Sequence, residues 1–468
     1  MKKAVVAFAG ALSIAASLSA VEVDAHLPSS HELSVGRTDA ILIRFTGDIA
    51  PGTLNDASFR VFGRFSGPVP GTIQVQGNRA RFVPDGGMAP GDWVTVYLTT
   101  EIEGVAGDAL TNTYTWNFWT SSSPAGMEFT NTGTLNPGSI PYGAHGGDLD
   151  HDGDLDLAIP NEGSNNMAVY LNDGAGNYGP RTDYPAGLVP SPIEAMDLNF
   201  DNHVDLVVGN TVSADISVFL GRGDGTFDPE IRNDTGGNPR GIAWTDLDGD
   251  TDFDLVIGNR NSNDVSILMG NGDGTFDPEM RVDPPGSGET AAVSTDVNGD
   301  GLEDLIMGYF GSEEVRTFIA TAPGSYTPGS VADAGGSVWQ MAVGDMNGDG
   351  LLDVVTANSN SSSAGVLLAT APGVFADAVT YSTGSFPLAI DVGDLDGDGD
   401  LDVVSSNFSG GNFTVYRNNG DGTLSDRQDL QATITGSCAV LHDRDGDGDL
   451  DITAADELAD TIFLYRND

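Results

Sequence analysis

The stretch DLDGDGDLDVVSSN, Asp394 to Asn407, decides how the rest of the chain is read. Aspartates occupy its positions 1, 3, 5 and 9, glycines its positions 4 and 6, and a strand-like run follows at once. Six more copies of the pattern D-x-D/N-x-D-x-x-x-D stand along the chain. They are Asp148 to Asp156, Asp197 to Asp205, Asp246 to Asp254, Asp296 to Asp304, Asp345 to Asp353 and Asp443 to Asp451. First aspartates are 49 or 50 residues apart throughout. A fixed period of that size signals a repeat architecture.

Working outward from each loop, the same anatomy recurs. A short apolar stretch precedes the loop, as in Met341 to Val343, and a β-branched run follows it, as in DLVVGN at Asp205 to Asn210. A second run comes next (Ile216 to Leu220, Val265 to Met269), then a Gly-rich turn (GDGTF at Gly223 to Phe227 and Gly272 to Phe276). A last segment leads onward, often through a proline: Pro141, Pro190, Pro239 or Pro387. No helical period is present, so each unit reads as four short strands. Four-stranded units of this length predict propeller blades. The residue nineteen before a first aspartate is Phe129, Tyr178, Phe227, Tyr326, Phe375 or Leu424, with Phe276 one place further back. The copy at Phe129 precedes any complete unit. Residues 127–133 are therefore expected to supply the outer strand of the seventh blade, which closes the ring and removes its open edges. The span 127–468 is 342 residues, almost seven periods. An open solenoid would leave these permuted ends unexplained.

The loops predict calcium sites. Four oxygen-bearing side chains at positions 1, 3, 5 and 9 can converge on a hard cation that takes six to eight oxygens. The candidate ligands are Asp148, Asp150, Asp152 and Asp156; Asp197, Asn199, Asp201 and Asp205; Asp246, Asp248, Asp250 and Asp254; and Asp296, Asn298, Asp300 and Asp304. The last three loops offer Asp345, Asn347, Asp349 and Asp353; Asp394, Asp396, Asp398 and Asp402; and Asp443, Asp445, Asp447 and Asp451. That makes about seven Ca2+ sites, with the position-7 carbonyl and water completing each shell. Position 6 is Gly in five copies, Asn202 in the second and Thr251 in the third. Threonine tolerates a left-handed turn poorly, so the third loop is expected to be distorted. An EF-hand is excluded: position 12 holds Ile159, Val208, Ile257, Met307, Thr356, Ser405 and Ala454 rather than Glu, and the flanks are not helical. Zinc is disfavoured by the all-oxygen set.

These loops also place much of an extreme charge. With 69 Asp+Glu against 19 Lys+Arg the formal net charge is −50, and 25 of those carboxylates sit at the 28 loop positions. Such a chain repels nucleic acid and anionic lipid. Met1-Lys2-Lys3 followed by the apolar Ala4 to Ala20 reads as a signal peptide of residues 1–25, cut after Ala25 or after Ala20. No other long apolar run exists, so no membrane span is expected in the mature chain, which should be secreted or at the cell surface of a bacterium. A single cysteine, Cys438, rules out internal disulfides and reads as a small buried hydrophobe. No metalloprotease helix, nucleophile elbow or Walker sequence occurs, so no catalytic residue is assigned. Arg222-Gly223-Asp224 spells RGD, but its sister copies show that Gly and Asp belong to the turn.

The pattern, with its G/A-N and N-G-D-G-T-F continuations, resembles the FG-GAP/VCBS repeat family, best known from the seven-bladed propeller of integrin alpha subunits. The likeness covers residues 127–468. It implies that each metal loop joins a blade's first and second strands on the bottom face and that ligands meet the top face. All seven loops are complete here, which is closer to bacterial repeats and to a calcium-bearing fungal lectin of that fold.

Residues 27–120 lack the repeat. Alternating runs at Ala40 to Phe45, Phe59 to Phe62, Ala80 to Val83, Trp93 to Leu98 and Tyr114 to Trp119 predict a β-sandwich. It resembles a bacterial Ig-like domain, a spacer or adhesion module in which no site is visible. Residues 121–126 (SSSPAG) read as a linker. The expected fold class is all-β, a seven-bladed β-propeller preceded by an Ig-like sandwich. Units differ most on the expected top face, at Tyr142, Arg240 and Trp339 before inner strands and at Arg260, Tyr309, Phe310 and Phe408 in turns. Aromatics with Arg suit recognition of an extracellular glycan or protein. His145, Glu194 and Asp391 are placed toward the central channel. A polysaccharide lyase and a structural surface or assembly protein remain alternatives, and the oligomeric state is open.

Overall fold

The computed structural model describes residues Ala20 to Asp468; residues 1–19, which hold most of the expected signal peptide, lie outside it. The described chain is all-β, with only two short 3-10 turns. No helix in it is long and apolar enough to cross a membrane.

The N-terminal sandwich is built from β1 (Val23–Leu27), β2 (Ile41–Phe45), β3 (Phe59–Gly63), β4 (Gly67–Pro68), β5 (Gly71–Gln76), β6 (Arg79–Pro84), β7 (Trp93–Leu98) and β8 (Tyr114–Trp119). One sheet runs β1-β2-β6-β5 and the other β4-β3-β7-β8. Ile41, Ile43, Phe45, Val94, Val96, Trp116 and Phe118 form the core between them. The domain starts earlier than residue 27. β1 pairs with β2, and Val21 is buried in the core and bridges to Leu110. A cut after Ala25 would sever β1 and remove Val21. The Ig-like domain therefore begins no later than residue 21 rather than at residue 27.

Seven further four-stranded antiparallel sheets follow. The second is typical: inner strand Pro190–Met196, then Asp205–Asn210, Asp215–Phe219 and outer strand Ile231–Asp234. Each second strand is buried along its length, as at Asp205–Asn210, because it is covered by a blade on either face. The fifth sheet inserts an extra hairpin, Ala369–Ala371 with Val374–Phe375, before its outer strand. The last sheet takes its outer strand from the other end of the repeats: β9 (Phe129–Leu135) pairs with Thr461–Asn467. Successive inner strands touch around the ring, and the first (His145–Gly147) touches the last (Cys438–His442). The closing strand is shifted from the expected 127–133. Met127 takes a left-handed turn (φ 53°) and buries itself between the sixth and seventh blades, so pairing starts at Phe129.

Candidate functional site

Each acidic loop is folded by its own side chains. In all seven, a carboxylate oxygen of position 1 accepts the backbone N–H of position 6 at 2.7–3.2 Å. In all seven, position 5 accepts the N–H of position 7 at 2.8–3.2 Å. Position 9 clamps the loop to the blade. Asp205 takes Leu198 N–H with one oxygen and Gly221 N–H with the other, at 2.9 and 2.8 Å, and Asp156, Asp254, Asp304, Asp353 and Asp402 repeat this arrangement. Asp451 keeps the second of these bonds, from Asn467 N–H, and has Arg444 at 3.6 Å from its other oxygen. A carboxylate oxygen with one lone pair so engaged retains another for a metal.

The third loop is not distorted. Thr251 adopts φ 81°, where the glycines at the same position in other loops lie between 83° and 98°, and still donates to Asp246 at 3.1 Å. The loop skeleton imposes the left-handed turn and threonine bears the strain. Thr251→Gly should therefore raise stability by about 0.5–1 kcal/mol, the relief of left-handed strain less the entropy glycine returns to the unfolded chain. An unchanged or lower midpoint in denaturant would contradict it.

Four loops gather three carboxylates whose oxygens lie within 4.8 Å of one another: Asp148, Asp150, Asp156; Asp246, Asp248, Asp250; Asp394, Asp396, Asp402; and Asp443, Asp445, Asp447. The other three carry Asn199, Asn298 or Asn347 at position 3 and so hold one carboxylate fewer. Buried oxygens of Asp148, Asp394 and Asp445 have no hydrogen-bond donor. Burial pushes the position-1 carboxyls of Asp148, Asp197, Asp246, Asp296, Asp394 and Asp443 up to about 6. It pushes Asp156 up to about 7 and Asp205 and Asp402 to about 8, and neighbouring aspartates add to the effect. Orphaned, mutually repelling oxygens in an all-oxygen cluster fit a hard divalent cation. Two loops also meet an arginine: Arg417 at 2.5 Å from Asp396, and buried Arg444 beside Asp451.

What the sequence left unseen is how the sandwich uses these loops. The sandwich and the stretch 121–126 that follows it sit on the loop face and between them touch every one of the seven. Phe65 C=O accepts from Asp148 N–H at 3.0 Å, Thr115 N–H donates to Gly301, and Ser123 N–H donates to Gly448 at 2.7 Å. Arg60 donates to Thr251 C=O at 2.9 Å and stacks 3.4 Å over Phe200 of the second loop. His31 reaches the carbonyls of Asp296 and Gly350, and Ser122 Oγ donates to Asp394 C=O at 2.7 Å. The stretch 121–126 is thus strapped down rather than free. RGD lies in a turn on this same face, where Arg222 and Asp224 are exposed, Arg222 pairing with Asp228 and Asp224 accepting from Thr226 within the same turn.

The sandwich also plugs the central channel. Arg64 projects from the end of β3 into a cavity of 180 Å3 lined by all seven inner strands, together with Phe62, Trp93, Thr95 and Trp119. Its guanidinium grips Asp391 with two bonds of 2.7 and 3.1 Å. His145 and Glu194 line the same cavity; burial holds the His145 ring down at about 3 and pushes Glu194 up to about 7. Buried Asp92 fixes the plug by accepting Phe65 N–H, Ser66 N–H and Ser66 Oγ at 2.8, 3.0 and 2.6 Å.

At the opposite mouth, five of the seven top-face residues form one cluster. Trp339 Nε1 donates to Tyr142 OH at 2.5 Å. Arg240 lies 4.9 Å over Tyr142 and 5.2 Å over Trp339; Arg260 lies 4.7 Å over Trp339 and 4.3 Å over Phe310. Phe386, missed in the sequence, packs on Trp339 at 6.0 Å. Tyr309 is corrected: it is wholly buried, because it fills the strand-end position that other blades give to buried asparagines such as Asn210 and Asn259. Phe408 is half-buried in its own turn and makes no ring contact with the cluster.

The model of the FG-GAP-like repeat matches residues 148–208, 197–257, 246–307, 296–356, 345–405 and 394–454, about two thirds of the chain. The chain belongs to the FG-GAP-like repeat family. Residues 18–120 match the bacterial Ig-like domain. No curated protein matches. Among solved structures, BBS1N in complex with ARL6DN is similar at 12% identity and TM-score 0.51, covering 73% of this chain and 97% of that one. A lectin of Agrocybe aegerita recognising non-reducing terminal N-acetylglucosamine is 19% identical over 89% of this chain and 95% of its own, TM-score 0.44. Virginiamycin B lyase of Staphylococcus aureus is 14% identical over 72% and 98%, TM-score 0.48. At such identities the likeness is one of fold alone. The FG-GAP repeats and Ig-like domain fit an extracellular adhesion or recognition protein.

Proposed function

We propose that this is a secreted calcium-binding recognition protein whose top face binds carbohydrate. The supporting observation is the cluster of Tyr142, Arg240, Arg260, Phe310 and Trp339 at the mouth of the channel. Stacked aromatics with convergent guanidinium groups are a recognition chemistry and no blade needs them for its core. Leu188, Val212, Ile434 and Leu458 stand exposed in turns of the same face and extend it with apolar surface. Calcium would sit in the seven loops on the far side, shaping the propeller and its seat for the Ig-like domain without touching the ligand. A glycan array probed with and without calcium tests this, followed by Trp339→Ala. Loss of an aromatic anchor of about 1–3 kcal/mol weakens binding roughly ten- to hundredfold. Binding only to protein ligands, or none to either class, would refute it. One observation favours an enzyme as second reading: burial and nearby Glu162 raise Glu457 to about 7 close to Arg240. Release of unsaturated products from polyuronides would establish that reading.

A further inference from the structure

The propeller has eleven arginines, and nine of them lie in ion pairs with Asp or Glu. The two that do not, among the described residues, are Arg240 and Arg260. In a chain of net charge −50 an arginine finds a carboxylate almost by default, yet these two neighbours share one indole and no anion. Arg240 makes one side-chain bond, Nε to Asn238 Oδ1 at 3.0 Å, while its Nη1 is buried with no acceptor. Arg260 Nε is likewise buried without an acceptor. Unmatched buried N–H groups on cations are costly, and two adjacent positive charges repel, so the arrangement is at its best with an anion between or beside them. Burial first, and the Arg240 charge after it, hold the Arg260 guanidinium below its ordinary range.

Beside this pair, Tyr142, Arg240, Trp339 and Gln340 line a cavity of 130 Å3 that shares Ile193, Glu194 and Cys438 with the channel, while Arg260 stands outside it over Trp339. A dry cavity of about 150 Å3 takes a bare benzene ring, so this smaller one takes at most part of a sugar, the rest standing outside it at the mouth. Glu162 and Glu457 lie within electrostatic reach of Arg240 but not at ion-pair distance. They offer acceptors to hydroxyl groups. We propose, resting on the carbohydrate reading above, that the mouth binds an acidic sugar residue, its carboxylate or sulfate held by Arg240 and Arg260 and its hydroxyls by Glu162 and Glu457. A bare inorganic anion would satisfy the arginines and leave the glutamates facing it. A long polyanion would be repelled by the rest of the protein. The fit is to an isolated or terminal acidic sugar.

The test is calorimetry on the calcium-loaded full chain with short uronate oligosaccharides, their methyl esters, sulfated oligosaccharides of the same length, and inorganic sulfate. Uronate or sulfated sugar should bind at least tenfold more tightly than the methyl ester, and affinity should fall as salt rises. Uronate and sulfated arms binding alike would assign a general sugar-anion site; one alone would name the group. Arg260→Gln should erase the preference over the ester. Wild-type salt dependence supplies the same readout if that variant fails to fold. Equal binding of ester and acid would overturn the acidic-sugar proposal while leaving the glycan reading intact. Inorganic sulfate competing as well as the sugar would also overturn it. No binding of any sugar would bring down the glycan reading itself.

Discussion

Stripping calcium from the folded protein should lower its melting temperature, and the loss should grow as the pH rises from about 5 to 8. At millimolar calcium and a dissociation constant of about 10⁻⁴–10⁻³ M, each filled site contributes roughly 1 kcal/mol, so seven sites contribute on the order of 7 kcal/mol. The pH dependence follows from the raised carboxyls. With no cation present, Asp205 and Asp402 titrate at about 8 and Asp156 at about 7 in the folded chain, against an unfolded value of about 3.9. The folded state then binds protons more tightly than the unfolded one. Its stability is greatest below the unfolded value and declines as pH climbs through the folded values. A bound cation takes the place of those protons and removes the decline. Melting curves in chelator and in calcium should thus converge toward pH 5 and diverge toward pH 8. Curves that coincide across the range would eliminate the metal role.

The second large effect is expected at the plug. Arg64→Ala removes the cation that faces Asp391 and Glu194 inside the channel. Deleting Arg64 strands the buried carboxylate of Asp391; because the Arg64 side chain is one-third exposed, the cost lies at or below the lower end of the about 3–5 kcal/mol of a fully buried pair. Replacing both members, Arg64→Met with Asp391→Leu, should recover most of that loss. A double-mutant cycle on thermal unfolding reads the coupling. Since Arg64 belongs to the sandwich and Asp391 to the sixth blade, the single variant should also loosen docking. Proteolysis at residues 121–126, strapped to the loops in the parent chain, reports that directly. A single variant as stable and as resistant as the parent would show that the pair carries no docking energy.

The parts legible in the sequence were those written in a local code. Seven loops of one spacing announced their blades, and the early copy at Phe129 announced the closing strand, because strand alternation and turn chemistry act over a few residues. Thr251 misled because a left-handed penalty of about 1–2 kcal/mol is small beside a loop bonded at every second residue. Tyr309 misled because its place at a strand end looked like a turn, while the depth of that corner depends on neighbours far along the chain. The plug was invisible for the same reason: Arg64, Phe65 and Asp391 acquire meaning only when two domains meet, and no periodicity marks a contact between residues 327 apart. The arginine pair was noticed as composition, but its lack of counter-ions appears only once nine others are seen to have theirs.

The splice of β9 onto the last blade has a kinetic meaning. Thr132 bonds to Leu464, 332 residues away, whereas strands within a blade meet after a few dozen residues at most. The equilibrium cost of the longer closure is modest, roughly 2 kcal/mol beyond that of a single 49-residue unit, since loop entropy grows only with the logarithm of length. The time cost is larger, because the two ends must find each other after the blades between them have formed. The clasp is therefore expected to be the last contact made on folding and the first to open. Anything that strengthens it should slow the loss of the whole ring out of proportion to its few hydrogen bonds.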